Sequence, residues 1–142
     1  MDLRGIEVRD HLEGSRLGQL MGLFAAGWWT EDRVAEDVAA MLAASDLVFA
    51  LVHRPDDRLV GFARVLTDGV YLALVLDVLV APDARGSGVG AMLMDAVVRH
   101  PRLARVRSVE LVCQPELFGF YRRWGFTEQV GRSTLMRLTR SS

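Results

Sequence analysis

Apolar residues at helical spacing mark the first predicted element. Leu17, Leu20, Met21 and Phe24 would lie on one face of a short helix, and Gly27 provides a stop signal. The pattern therefore predicts an amphipathic helix that ends at or before this glycine.

A second helix is predicted from a stronger pattern. Thr30 is a suitable N-cap, Glu31 and Asp32 complement the positive end of the helix dipole, and Asp46 begins the exit. Four apolar residues follow the i, i+4, i+7, i+8 rhythm of one buried face: Val34, Val38, Met41 and Leu42.

Strand signals follow in the middle of the chain. Two antiparallel strands are predicted over residues 47–53 and 59–66, joined by a turn that contains a proline and two aspartates. Residues 70–80 are nearly all apolar or β-branched, which is typical of a central strand buried on both faces. Asp77 is the one charged residue in that strand.

The rest of the chain alternates helix and strand signals. The predicted elements are a glycine-rich loop over residues 81–90, a helix ending near His100, a strand over 106–113, a helix over 116–124 and a last strand over 133–138. The whole pattern predicts an α/β fold.

Composition narrows the class of protein. The 142 residues are 51% hydrophobic and 25% charged, which predicts a single globular domain over residues 1–142. No apolar run reaches the roughly 18 residues of a membrane span, and the first ten residues are too charged for a signal peptide. We therefore expect a cytoplasmic protein with no membrane partner.

Charge and cysteine content exclude further classes. Cys113 is the single cysteine, so neither an internal disulfide nor a zinc site is expected, and no metal is predicted. Residues 99–142 hold nine of the 17 arginines and three of the 18 acids, and the chain has no lysine. A basic segment favours phosphate-rich ligands, but scattered arginines are typical of a solvated surface, and no nucleic-acid partner is predicted.

The loop after the central strand carries the first candidate chemistry. Glycines without side chains allow positive φ and close backbone approach, so successive amides can converge on phosphate oxygens, and the following helix adds its positive end. An arginine at the start can pair with pyrophosphate. The residues are Arg85, Gly86, Ser87, Gly88, Val89 and Gly90.

The same loop leaves an alternative open. Gly86, Gly88 and Ala91 also fit the G-x-G-x-x-G/A pattern of dinucleotide-binding folds, although five residues separate the strand from the first glycine. The lack of lysine excludes a Walker A loop. A purely structural strand-to-helix connection is the remaining interpretation.

A second motif completes a family resemblance. Arg85-x-x-Gly88-x-Gly90 resembles the coenzyme A signature of the GNAT superfamily of N-acetyltransferases. A downstream segment is similar to the second signature of that superfamily: Tyr121, Arg122, Arg123, Trp124, Gly125 and Phe126. The similarity extends from about Trp28 to Phe126, and the order and separation of the motifs also match.

The resemblance implies a fold and a reaction. The expected fold is a GNAT-type α/β/α sandwich with a mixed, mostly antiparallel, V-shaped sheet flanked by helices. The expected reaction moves an acetyl group from acetyl-CoA to a primary amine of a small-molecule or peptide acceptor, by direct attack in a ternary complex. Relatives are often homodimers, and the apolar segment 135–138 is a candidate dimer contact, although a core role explains it equally well.

The resemblance also implies cofactor-binding residues. The backbone of Leu79 and Val80 would pair with the pantetheine arm and stabilise the oxyanion. Gln114 stands where many relatives have an asparagine that contacts the same arm. The pyrophosphate would lie against Arg85 and the amides of the glycine-rich loop: Gly86, Ser87, Gly88, Val89 and Gly90.

Two residues are candidates for catalysis by the same resemblance. Tyr121 aligns with the tyrosine that protonates the departing thiolate in many relatives, and packing in an aromatic cluster is the alternative. Asp77 is the candidate base for the acceptor ammonium, and a structural carboxylate is the alternative.

More than one interpretation is open for the acceptor site and for the class of function. Phe24, Trp28 and Trp29 are predicted to form an aromatic wall that holds an amine by cation–π contact, or else they pack in the core. The rival functions are a regulatory module that binds acyl-CoA without turnover and a dinucleotide-binding oxidoreductase domain.

Overall fold

The computed structural model describes residues 1–140. Within that range the chain forms five strands and four α-helices. The strands are β1 (Ile6–Arg9), β2 (Leu47–His53), β3 (Arg58–Thr67), β4 (Leu72–Val80) and β5 (Ser108–Leu111). The helices are α1 (Leu17–Ala25), α2 (Ala35–Ala44), α3 (Val89–Val98) and α4 (Phe118–Arg122). No helix among the described residues is long and apolar enough to cross a membrane.

The chain divides into two compact units. The first comprises Met1–Leu111 and holds the whole sheet together with α1, α2 and α3. The second begins at Val112 and holds α4. The expectation of a single domain over the entire chain stays a prediction.

The five strands form one mixed sheet in the order β1-β2-β3-β4-β5. Neighbouring strands pair antiparallel except β4 and β5, which pair parallel and are connected through α3. β1 was not predicted from the sequence. Its signal is short, because Ile6 and Val8 alternate with Glu7 and Arg9 over only four residues.

Helices cover both faces of this sheet. A Cβ at Gly61 of β3 would approach Val89 of α3, whereas the ring of the adjacent Phe62 packs edge-on against Phe24 of α1, with 6.3 Å between ring centroids. Adjacent residues of a strand point to opposite faces, so α1 and α3 lie on opposite sides of the sheet. The predicted α/β/α sandwich with a mixed, mostly antiparallel sheet is confirmed.

The start of α2 differs from the prediction. The helix begins at Ala35 with Val34 at the N-cap, and Glu36 and Asp37 are the acids of its first turn. Thr30 is fully buried, and its hydroxyl donates to the carbonyl oxygen of Phe24 at 2.6 Å instead of capping α2. A side chain that satisfies a buried carbonyl of the preceding helix is unavailable as a cap for the next one.

The predicted last strand is wrong for this structure. Residues 133–138 form no strand, and the apolar side chains of this segment are exposed: Leu135 by 63%, Met136 by 91% and Leu138 by 76%. A core role for the segment 135–138 is therefore not supported. β-type composition alone does not make a strand, because the segment also needs a pairing partner.

Candidate functional site

The central strand β4 has an open edge in the first unit. β4 pairs with β3 as far as Val80, but its pairing with β5 stops at Val75 opposite Leu111. Residues 76–80 therefore have a neighbouring strand on one side only within that unit. Backbone N–H and C=O groups on such an edge are free to bind an extended ligand as if it were another strand.

A β-bulge in β4 lies where the pairing ends. Phe62 pairs with Leu79 and Arg64 pairs with Leu76, so β4 has one residue more than β3 across this interval. Asp77 within the bulge adopts φ of 54°, which is the left-handed region. A bulge of this kind bends its strand and increases the local twist, which accounts for the parting of β4 from β5.

The side chain of Asp77 is held between two arginines. Its Oδ2 accepts a hydrogen bond from Arg33 Nη1 at 2.8 Å and another from Arg64 Nε at 2.7 Å. The aspartate side chain is only 6% exposed. The geometry favours a structural carboxylate, with arginines rather than backbone amides as partners, and the alternative role of general base stays a prediction.

Arg33 and Arg64 were not found from the sequence. They lie 44 and 13 positions from Asp77, on the segment before α2 and on β3. No local spacing links such residues, because their contact arises only when the strands pair and the helical segment packs on the sheet.

The glycine-rich loop has the conformation that amide-based anion binding requires. Gly86 has φ of 77°, and Gly88, the residue before α3, has φ of 94°. Among residues 1–140, no acceptor binds the backbone amide of Gly86, Ser87 or Gly88, and the first-turn amides of α3 lack intrahelical acceptors as in any helix. The loop thus presents a group of free amides at the positive end of a ten-residue helix.

Side chains around this loop hold its shape and leave one cation available. Ser87 Oγ donates to the carbonyl oxygen of Ala84, which closes the turn. Asp83 is engaged by Arg58 at 2.8 Å. Arg85 is exposed, and the ion pair described at this loop joins Arg58 to Asp83 and does not include Arg85. Its guanidinium is therefore free to pair with an anion at the loop.

The second unit contains Tyr121 in an aromatic cluster. Tyr121 is 7% exposed, and its ring contacts Phe120 and Phe126 with centroid separations of 5.0 Å and 6.0 Å. Burial, with a smaller contribution from Cys113, raises the pKa of Tyr121 to about 12. Tyr121 therefore packs in an aromatic cluster, and its phenol stays protonated throughout the physiological pH range.

The raised pKa changes what Tyr121 can do as an acid. An ordinary thiol has a pKa of about 8.5, so full proton transfer from a phenol with a pKa of about 12 is uphill by roughly 5 kcal/mol. A protonated phenol can still donate a hydrogen bond to a thiolate as it forms. The catalytic role stays a prediction.

Gln114 and Cys113 of the second unit provide weaker evidence for a binding site. Gln114 precedes the short 3-10 helix Pro115–Leu117, and its carbonyl oxygen accepts from the Leu117 amide. Its contact with a pantetheine arm stays a prediction. Burial raises the pKa of the Cys113 thiol, which disfavours the thiolate, the nucleophilic form of cysteine.

The three predicted acceptor-wall residues fall in different environments. Phe24 is 1% exposed, and the guanidinium of Arg33 covers its ring at 4.6 Å from the centroid. Trp28 and Trp29 are 71% and 45% exposed and pack edge to face, with 5.6 Å between their centroids. Only the tryptophans present an accessible aromatic surface, so the wall hypothesis now rests on them.

Histidine, cysteine and acidic side chains do not gather into a metal site in the described part of the chain, where no group of three or more could hold an ion.

The three-layer sandwich, the parting of β4 from β5 and the glycine loop at the start of α3 define the class of α/β N-acetyltransferases. The profile of the acetyltransferase (GNAT) domain matches residues 44–128, and the chain belongs to this family.

Individual relatives agree with this assignment. The chain is 33% identical over 127 residues to the uncharacterized N-acetyltransferase ycf52 of Porphyra purpurea, covering 85% of this chain and 72% of the relative. It is 34% identical over 125 residues to serotonin N-acetyltransferase 2, chloroplastic, of Oryza sativa subsp. japonica, covering 87% of this chain but only 62% of the relative. A GNAT-family protein of Xanthomonas campestris pv. campestris superposes with a TM-score of 0.81 at 32% identity, covering 94% and 92% of the two chains.

Proposed function

We propose that this chain transfers the acetyl group of acetyl-CoA to a primary amine by direct attack in a ternary complex. The observation that carries the proposal is the free edge of β4 at residues 76–80, followed within the same unit by the glycine loop. An extended chain with a pyrophosphate at one end matches an open strand edge that leads to a cluster of free amides.

The pantetheine arm would bind along the open edge of β4. The backbone of Leu79 and Val80 would pair with its amides and direct an N–H at the thioester oxygen, where negative charge develops during attack. The pyrophosphate would lie on the amides of residues 86–90, and Arg85 would neutralise part of its charge. Among these groups, the amides of Gly86, Ser87 and Gly88 have no backbone acceptor among residues 1–140, which supports their assigned role.

Tyr121 would stabilise the leaving group. Because its phenol stays protonated up to a pKa of about 12, it would donate a hydrogen bond to the departing thiolate at every physiological pH. Solvent would accept the proton that the attacking amine loses and would supply the proton that the thiolate gains. A thiolate is a weaker base than the attacking amine, so it needs only modest stabilisation as a leaving group.

The acceptor would be an amine with an apolar or aromatic body. Trp28 and Trp29 offer an exposed aromatic surface that can bind a flat ring or an ammonium group. The rice relative is a serotonin N-acetyltransferase by name, and serotonin combines both features. We therefore place serotonin first among acceptors to test.

The test is a titration of the purified chain with acetyl-CoA and, separately, with NAD, followed by thiol release with serotonin, spermidine and a short peptide. We expect binding of acetyl-CoA, no binding of NAD, and thiol release that depends on the amine. Binding without release for every amine would favour a regulatory module. Absence of acetyl-CoA binding would overturn the proposal.

A further inference from the structure

The segment that carries the exposed tryptophans ends in an arginine that contacts three elements. We refer to residues 27–33 as the tryptophan loop. Arg33 Nη1 donates to Asp77 Oδ2 of β4 at 2.8 Å and to Met41 Sδ of α2 at 3.5 Å, and its guanidinium stacks on Phe24 of α1 at 4.6 Å. One side chain thus joins both helices that flank the loop to the bulge of the central strand.

The loop has few other attachments. Its backbone forms a series of turns, in which the amides of Gly27, Thr30 and Arg33 each bond to the carbonyl three residues earlier. The Thr30 hydroxyl fastens it to the end of α1. Among residues 1–140, the Arg33–Asp77 pair is the polar contact that links the loop to the sheet. The position of both tryptophans relative to the sheet therefore depends on this pair, while Thr30 holds the loop to α1.

The ion pair between Arg33 and Asp77 is partly shielded from water. The aspartate side chain is 6% exposed and that of Arg33 is 30% exposed, so the pair is partly shielded from water and less screened than a surface ion pair. Arg64, with a side chain 14% exposed, binds the same oxygen. If Arg33 is removed, the carboxylate keeps a charged partner, and variants at position 33 are expected to fold.

We propose that Arg33 and Asp77 form a strut that fixes the tryptophan loop over the β4 bulge, which makes Arg33 a positioning residue for the acceptor amine. In this arrangement Asp77 acts through Arg33 and does not remove a proton from the substrate. The part concerning the acceptor rests on the proposed acetyltransferase function; the part concerning the loop does not.

Hydrogen exchange of the loop amides tests the strut without any substrate. We expect Arg33→Ala and Asp77→Ala each to accelerate exchange in the peptide that contains Gly27, Thr30 and Arg33 by about tenfold, and the double variant to add little. Arg64→Ala is the matched control, because it removes the other arginine on Asp77 but leaves the strut in place. Equal protection in wild type and Arg33→Ala would overturn the proposal.

Steady-state kinetics with serotonin as the probe amine tests the consequence for the acceptor. We expect Arg33→Ala to raise the KM for serotonin about tenfold, with kcat at saturating amine and the KM for acetyl-CoA little changed. Arg33→Lys, which retains one donor and the positive charge, should recover part of the loss.

The outcomes separate the strut from the proposed function. If serotonin is not acetylated but Arg33→Ala still accelerates loop exchange, the strut stands and the acceptor assignment fails. If Asp77→Ala lowers kcat far more than Arg33→Ala does, Asp77 has a direct role in the reaction and the strut account is overturned.

Discussion

Positive φ at Gly86 is the backbone property on which the phosphate-type loop depends. The same φ of 77° occurs at Gly69, in the turn between β3 and β4, and a Cβ at either position would meet nothing within 4 Å. The two glycines therefore share a conformational requirement and differ only in what surrounds them. This gives a matched pair of variants for the candidate site.

We predict that Gly86→Ala and Gly69→Ala each destabilise the fold by about 1–2 kcal/mol, because alanine is strained in the left-handed region. Only Gly86→Ala should also weaken acetyl-CoA binding, by about tenfold or more, since its Cβ and any backbone adjustment disturb the amide cluster. Urea unfolding and calorimetric titration measure the two effects. Equal affinities of the two variants for acetyl-CoA would show that the pyrophosphate does not bind at this loop.

Tyr121 gives a prediction about alkaline stability. Its pKa is raised to about 12 by burial, whereas an unfolded tyrosine titrates near 10, so the unfolded chain releases this proton first. The contribution to stability is fully present below pH 10 and is lost as the pH rises toward 12. At pH 11 the loss is about 1.4 kcal/mol.

Urea unfolding at pH 8 and pH 11 checks this prediction. The chain has no lysine, and the single cysteine, Cys113, is present in both proteins compared. We expect Tyr121→Phe to lose about 1.4 kcal/mol less than wild type between the two pH values. Identical losses in the two proteins would show that Tyr121 is not buried as described.

The secondary-structure elements were predictable where local pattern and tertiary environment agree. β2 was predicted at its observed bounds, because an uninterrupted apolar run between turn residues is buried on both sides. α2 was predicted to begin four residues too early, since the Thr30 hydroxyl has a partner in the preceding helix. A cap assignment from sequence cannot detect such a competing acceptor.

Thr30 should therefore matter to the end of α1 rather than to the start of α2. We predict that Thr30→Val destabilises the protein by about 0.5–1.5 kcal/mol, because the carbonyl of Phe24 loses its hydroxyl donor and keeps only the Gly27 amide, whereas Thr30→Ser retains most of the stability. Urea unfolding measures the change. Hydrogen exchange should accelerate at the end of α1 and in residues 27–33, while exchange in the first turn of α2 should be unaffected. The reverse pattern would show that Thr30 caps α2.

Burial is uneven along the molecule. Apart from Tyr121 and Met94, the buried apolar residues belong to one cluster that runs from Ile6 to Leu103, within the first unit. The segment 133–138 has the composition of a strand but is exposed. The loss of unfolding free energy on substituting an apolar residue should therefore depend more on its position in the chain than on its residue type.

Two leucines test this distribution. Leu51 of β2 is fully buried and Leu138 is 76% exposed. We predict that Leu51→Ala costs about 2–5 kcal/mol of unfolding free energy, and Leu138→Ala less than about 0.5 kcal/mol. Urea unfolding at several protein concentrations measures both. A large, concentration-dependent loss for Leu138→Ala would show that this segment packs against a second copy.

The local amino-acid sequence by itself determined the strands β2 to β4 and the helix after the glycine loop. It also determined which loop residues can adopt positive φ. These features depend on neighbours within a few positions, which is what periodicity and turn residues record. Only the tertiary structure decided that Asp77 lies between Arg33 and Arg64, that Phe24 is covered while Trp28 and Trp29 are exposed, and that residues 133–138 remain unpaired. Those outcomes depend on contacts between distant segments, and such contacts exist only after the sheet has assembled.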